Sequence, residues 1–156
     1  LFVVQTGFVR FVGLAFQVDT DGEFIYVTAL DANLATGATR YFAVHHNGGT
    51  INATEGNRDG TTLDLVVNSL YAELNGTPGA GKSYAFAFRD DVGGNSPTCT
   101  VADTATTCNQ TVAGGVIVAS GSLIDTRSVP AGTPTARKVR TGYSVIAKTQ
   151  RVSVIE

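Results

Sequence analysis

Turn signals recur at short intervals along this chain of 156 residues. Asp21-Gly22, Asp59-Gly60 and Asn75-Gly76 each separate runs in which apolar side chains alternate with small or polar ones. Asp-Gly and Asn-Gly are typical of the tight turns between antiparallel strands. Many short strands at this spacing predict an all-β protein, folded as one antiparallel sandwich or barrel over residues 1–156.

Most of the predicted strands show a period of two. Leu63–Leu74 is ambiguous, because Leu63, Val67 and Leu70 also fit a helical stripe; the β-branched Val66-Val67 favours a strand. The runs that we interpret as strands are Val3–Gly13, Leu14–Thr20, Glu23–Leu30, Arg40–His46, Thr61–Leu74, Ser83–Arg89, Thr98–Val101, Gln110–Ala113, Val116–Ser120, Lys138–Ala147 and Arg151–Ile155.

Composition supports strands and turns. Hydrophobic residues make up 43% of the chain and charged residues 15%, against a usual charged share of about 25%. The net charge of −2 gives no general attraction to nucleic acid or to an anionic membrane, and we expect neither partner. The chain begins Leu1-Phe2-Val3-Val4 without Met, so we expect a mature or trimmed product.

Residues Gly76–Ser83 match the P-loop pattern G-x-x-x-x-G-K-S/T. A P-loop binds phosphate because a helix follows it and presents its N-terminal amides. Here Tyr84, Phe86 and Phe88 alternate with small residues, which predicts a strand. We therefore interpret Gly76–Ser83 as a turn that mimics a P-loop, and we predict no nucleotide-binding residues and no cofactor.

The sequence indicates no catalytic or metal site. His45 and His46 are adjacent and would point to opposite faces of a strand, so they cannot easily share a metal. The order of residues suggests no Ser-His-Asp set. We predict that the protein is not an enzyme.

Two cysteines, Cys99 and Cys108, are separated by eight residues without a neighbouring His, which is poor spacing for zinc. A hairpin about Asp103-Thr104 would bring the two sulfurs opposite each other and permit a disulfide. The alternative is two small buried hydrophobic residues. A disulfide would indicate a protein that works outside a reducing cytosol.

Basic residues are concentrated near the end of the sequence. They form either a solvated strand face with a cationic edge or a docking face for an acidic partner. The residues concerned are Arg137, Lys138, Arg140, Lys148 and Arg151.

The first thirteen residues are unusually apolar. Phe2, Val4, Phe8 and Phe11 cannot all face one core from a single strand. A strand that is apolar on both faces must be covered from two sides. We therefore expect residues 1–13 to lie centrally in a sheet or to pack on a neighbouring subunit.

About half of the chain resembles a β-rich family common in the virion proteins of tailed phages. The family reads roughly as a G-x-P-G-x-G-K-S-Y turn and strand, a cysteine-bearing hairpin, an A-G-D-L-I turn and S-G-T-P. This chain departs from the family at Ala119–Ile124, which lacks the Asp of that turn. The segments that carry the resemblance are Ser69–Tyr71, Gly76–Phe86, Thr98–Val101, Ala105–Cys108, Val116–Ile124 and Pro130–Pro134.

The resemblance implies a jelly-roll-like sandwich that often trimerises and carries no active site. It implies a structural virion protein of the extracellular particle: a capsid decoration or cement protein, or a head-fibre subunit. The expected partners are copies of the chain, as a homotrimer, and other virion proteins such as a major capsid protein. The alternative function is a receptor- or glycan-binding domain of a tail fibre.

Overall fold

The computed structural model describes residues 22–45, 51–56, 58–91 and 94–148. This part of the chain contains nine strands and no helix. The strands are β1 (Glu23–Ala29), β2 (Arg40–Phe42), β3 (Asp59–Gly60), β4 (Leu65–Leu74), β5 (Gly79–Asp90), β6 (Gly94–Asp103), β7 (Thr107–Val118), β8 (Leu123–Ala131) and β9 (Val139–Ala147).

The strands form two antiparallel sheets. Sheet A has the order β1-β9-β4-β7, and sheet B has the order β2-β8-β5-β6, with the short β3 also paired to β8. Consecutive long strands mostly change sheet, which is the arrangement of a jelly roll. The prediction of an all-β, jelly-roll-like sandwich is therefore confirmed.

One core lies between the sheets, and alternate residues of each strand enter it. Sheet B contributes Tyr84, Phe86 and Phe88 from β5, all essentially buried. Sheet A contributes Tyr143 and Val145 from β9, and the rings of Phe88 and Tyr143 meet edge to face with centroids 5.4 Å apart. The strand predicted after the glycine-rich turn is thus confirmed, and its aromatic face is core.

An irregularity in sheet A keeps β4 facing the core along its whole length. Between the pairs Val67–Val116 and Ser69–Thr111, β4 has one residue and β7 has four. This bulge shifts the alternation, so that Val67 and Leu70 are both buried. Gly115 (φ +68°) lies at the bulge, where a Cβ would be 2.2 Å from Val66 Cγ1; the site therefore requires glycine.

Four details differ from the sequence prediction. Asp59-Gly60, predicted to be a turn, forms the short strand β3, which pairs with Ile124 and Leu123 of β8. β8 was not predicted, yet it lies between β2 and β5 in sheet B. Gln110–Ala113 and Val116–Ser120 belong to one bulged strand, β7. The turn at Asp103-Thr104 is present, but β6 and β7 do not form a hairpin ladder, because β6 pairs with β5 and β7 with β4. Residues 1–13 lie outside the described residues.

Candidate interaction surface

The outer face of sheet A carries two rows of apolar side chains, with the hydroxyl side chains of Ser144, Ser69 and Thr111 between them. Inward residues of β1, β4, β7 and β9 fill the core, and the intervening residues point away from it. Three of these outward side chains are well exposed: Ile117 (63%), Tyr71 (46%) and Val27 (38%). Ile25, Val66 and Ile146 are half-buried among them.

Strand register places these side chains in rows across the sheet. Val66 is paired with Ile117 on one side and with Ile146 on the other, which makes a continuous aliphatic row over three strands. Tyr71 and Val27 lie on either side of Gly142 in a second row. Because glycine has no side chain, the flanks of Tyr71 and Val27 are left open to a partner.

Charged groups on this face lie near the ends of the strands. Among the described outward residues, these are Glu23 at one end and the pair Glu73–Arg140 at the other, with Oε2 and Nη1 3.8 Å apart. Glu23 Oε1 accepts a hydrogen bond of 3.2 Å from Ser144 Oγ. Between these ends the described outward residues carry no charge, although the row of Ser144, Ser69 and Thr111 between the apolar rows carries hydroxyls. The uncharged part of the face costs less to desolvate than its charged ends.

The outer face of sheet B is different, because Glu55 and Arg58 of the segment that precedes β3 contact it and bring charge onto it. Arg89 of β5 donates from Nε and Nη2 to the two carboxylate oxygens of Glu55, at 2.7 and 3.1 Å. Arg58 Nη2 lies 2.6 Å from Glu55 Oε2. Burial opposes ionisation of Glu55, but the hydrogen bonds from Arg89 and Arg58 outweigh it and lower the pKa of Glu55.

Asp125 lies beneath this cluster on β8 and is buried. Its nearest cationic contact is Arg58, whose Nε is 3.8 Å from Asp125 Oδ2, and no described group hydrogen-bonds to either carboxylate oxygen. Burial, and then the charge of Glu55, raise the pKa of Asp125 to about 7, against the opposing effect of Arg58, Arg89 and Arg127. The carboxyl therefore changes charge near neutral pH. Sequence patterns could not identify this group, because the residues that surround it come from distant segments.

The basic residues near the end of the sequence are spread over the molecule. Lys138 and Lys148 flank β9 at opposite ends, a separation of about 33 Å along an extended chain. Arg137 is engaged locally: its Nε donates to Thr77 O at 2.9 Å. Arg140 lies on the outer face of sheet A beside Glu73. The described members therefore do not form one patch, and Arg151 lies outside the described residues.

Cys99 and Cys108 form a disulfide, with their Cα atoms 5.7 Å apart. Cys99 lies on β6, at one edge of sheet B, and Cys108 lies on β7, at the same side of sheet A. The bridge therefore connects the two sheets where the chain crosses between them.

The P-loop-like segment Gly76–Ser83 overlaps β5, because its residues from Gly79 onward are the first residues of that strand. Gly79 and Gly81 have φ values of +106° and +67°, and Gly81 N donates to the side chain of Asp103 at 2.7 Å. The Asp103 carboxylate therefore occupies an amide that a bound phosphate would need. The segment continues as a strand, so it provides no helix N-terminus for a phosphate.

The histidine motif is only partly described. His45 stacks on Tyr26, with ring centroids 5.4 Å apart, and its Nδ1 lies 3.1 Å from Asp59 Oδ2. His46 lies outside the described residues. In the described ranges, no three His, Cys, Asp or Glu side chains group together as metal ligands would.

Comparison with family models and with curated proteins finds no match to this chain. In the described ranges, no helix has the length and apolar character of a membrane span.

Proposed function

We propose that this chain is a structural virion protein, a capsid decoration or cement protein or a head-fibre subunit, that works without catalysis as a homotrimer. The observation that carries the proposal is the apolar outer face of sheet A. This face exposes the aliphatic row of Ile146, Val66 and Ile117 together with Tyr71 and Val27, and clustered exposed apolar side chains often mark contacts with another protein. The sequence resemblance to virion proteins of tailed phages supports the same function.

The jelly roll suits such a role. The long strands pair within two sheets, and the disulfide connects the sheets at one edge. A subunit on an extracellular particle gains from such a crosslink, because disulfides persist outside a reducing cytosol. In a three-fold ring, each copy contacts the next through two different surfaces. The outer face of sheet A would be one of them, and the other virion proteins, such as a major capsid protein, would contact the remaining surface.

Two measurements test this function. Light scattering on the purified chain should give the mass of a trimer at tens of micromolar. Immunogold labelling of phage particles that carry the gene should place the protein on the capsid. A strict monomer that labels no particle would contradict the proposal.

The exposed ring of Tyr71 favours a second candidate, a receptor- or glycan-binding domain of a tail fibre. Tyr71 is paired with Asn109 and Gly142, so an aromatic ring lies beside an amide and an open position. Sugars bind such combinations of a flat apolar ring and a hydrogen-bonding group. Gold label on tail fibres, together with glycan binding that Tyr71→Ala removes, would favour this function over decoration.

A further inference from the structure

We propose that residues 1–18 of one copy cover the outer face of sheet A of a neighbouring copy. This inference rests on the proposed self-assembly and names the two surfaces that meet in it. It concerns a face defined by Ile25, Val27, Val66, Tyr71, Ile117 and Ile146.

The first argument is where the chain meets the sheet. Gly22, the first described residue, accepts a hydrogen bond from Ala147 N at 2.9 Å. The next residue, Glu23, is paired with Ile146, which is paired in turn with Val66. The preceding residues are therefore joined to the molecule at the end of the strands that carries the aliphatic row.

The second argument is the chemistry of the segment. Residues 1–18 contain one charged side chain, Arg10. Apolar residues occur at odd positions, such as Val3 and Phe11, and at even positions, such as Val4 and Phe8. An extended segment of this kind needs apolar cover on two sides. The face of a single sheet covers one side, so the second must come from another copy.

The third argument is reach. Eighteen extended residues span about 60 Å. Crossing the four strands of sheet A takes about 14 Å at the usual strand spacing. The segment is therefore long enough to leave its own copy and still cross the neighbour's sheet. A contact between a segment and a face is heterologous, and such contacts close into a ring of the kind proposed above.

The fourth argument is the contrast with sheet B. Its outer face is already partly covered by Glu55 and Arg58 of the same chain, held by the ion pairs of Glu55 with Arg58 and Arg89. In the described part of the chain, no corresponding segment crosses the outer face of sheet A. The face left open also carries the aliphatic row of Ile146, Val66 and Ile117 and the exposed Val27 and Tyr71, which match the apolar segment.

Photocrosslinking with isotope mixing tests the inference on the full chain. A benzoylphenylalanine replaces Ile117, and unlabelled and ¹⁵N-labelled copies are unfolded together, refolded and irradiated. Mass spectrometry of the digest should show the peptide that contains position 117 joined to peptides from residues 1–18. Pairs of mixed isotope content should be as abundant as pairs of uniform content.

The matched control places the same group at Leu123, which is 43% exposed on sheet B, and should give no crosslink to residues 1–18. Crosslinks from position 117 in uniform-isotope pairs alone would show that the segment covers its own copy, and would overturn the inference. So would crosslinks from position 117 that reach no residue of 1–18. Should the Ile117 variant fail to fold, Tyr71 offers a second position on the same face.

The outcome separates this inference from the proposed function. A monomer by light scattering contradicts both. A trimer in which position 117 crosslinks elsewhere contradicts the inference and leaves the proposed function standing.

Discussion

The hydroxyl oxygens of Thr126 and Tyr143 lie 2.6 Å apart in the buried centre of the sandwich. Thr126 is on β8 and Tyr143 is on β9, so this hydrogen bond joins sheet B to sheet A through the core. Burial raises the pKa of Tyr143 above its ordinary value, which favours the protonated hydroxyl. The contact is a polar link in a mostly apolar core, which also contains the buried hydroxyl side chains of Thr28, Ser128 and Thr141.

Tyr143→Phe should therefore lower the free energy of unfolding by about 1–2 kcal/mol, because it leaves the Thr126 hydroxyl buried without this partner. Chemical denaturation followed by circular dichroism measures the change. Tyr71→Phe is the matched control: its ring is exposed, and we expect a change within about 0.5 kcal/mol. Equal effects of the two variants would show that the buried hydrogen bond contributes nothing.

Asp125 should make stability fall as the pH rises. The folded protein holds the Asp125 proton up to a pKa of about 7, whereas the ordinary pKa of an aspartate is 3.8. Between these values the folded state binds more protons than the unfolded state, so the stabilisation present at low pH is lost towards neutrality. The slope from this group is at most about 1.4 kcal/mol per pH unit.

Denaturation curves of the wild type and of Asp125→Asn test this. They are collected from about pH 4 to about pH 8, so that they span the unfolded and the folded pKa of Asp125. The variant should show a shallower decline than the wild type. Asp91→Asn, at an exposed carboxyl after β5, controls for the change in net charge and should retain the decline. An unchanged slope in Asp125→Asn would assign the pH dependence to other groups.

The disulfide should contribute stability by limiting the unfolded chain. Closing a loop of the size between Cys99 and Cys108 contributes about 2–3 kcal/mol in the chain-entropy model. The double variant Cys99→Ala/Cys108→Ala should lose about that amount relative to the oxidised wild type. It should also match the wild type measured in reductant. Intact mass without reductant reports the bridge directly, and two freely alkylated thiols in the native protein would contradict it.

Lys82 should be dispensable, although it occupies the lysine position of the P-loop pattern. We expect Lys82→Ala to change the free energy of unfolding by no more than about 0.5 kcal/mol. Calorimetry should show no ATP binding that depends on this side chain. Micromolar binding lost in the variant would restore the nucleotide-binding interpretation.

Gly132, the residue after β8, packs against Gly81 and Lys82 and provides the contrast. It has φ +71°, and a Cβ there would lie 2.6 Å from Gly81 O. Gly132→Ala should therefore destabilise the protein by about 1–3 kcal/mol. If Gly132→Ala changes the free energy of unfolding as little as Lys82→Ala does, the backbone geometry described for Gly132 is wrong.

We expect substitutions on the outer face of sheet A to weaken oligomer formation but not folding. Ile117→Asp places a charge in the aliphatic row and should lower the oligomeric mass in light scattering. Its circular dichroism should stay that of the wild type, because the side chain is exposed. Leu123→Asp, on sheet B, should leave the mass unchanged. If Ile117→Asp and Leu123→Asp lowered the oligomeric mass equally, assembly would not depend on one particular face.

The strands that sequence patterns predict well are those with one buried and one open face. In β4, Leu70, Ala72 and Leu74 are buried between more exposed residues, so the period of two is visible in the sequence. β8 was not predicted, because neither of its faces gives that signal. Its inward residues include the polar Thr126 and Ser128, and its outward Asp125 is buried beside Arg58.

The class of the fold follows from the sequence alone. Turn dipeptides and the alternation of apolar with polar or small residues are local properties, and they suffice to specify many antiparallel strands. The sequence also indicated that Gly76–Ser83 leads into a strand. The division of the strands between the two sheets, in contrast, depends on tertiary packing. A turn such as Asp103-Thr104 has the same local signature whether it closes a hairpin or carries the chain from sheet B to sheet A. The Asp125 cluster and the apolar face of sheet A arise in the same way, since each gathers residues that are distant in sequence and that only the packing of the sheets brings together.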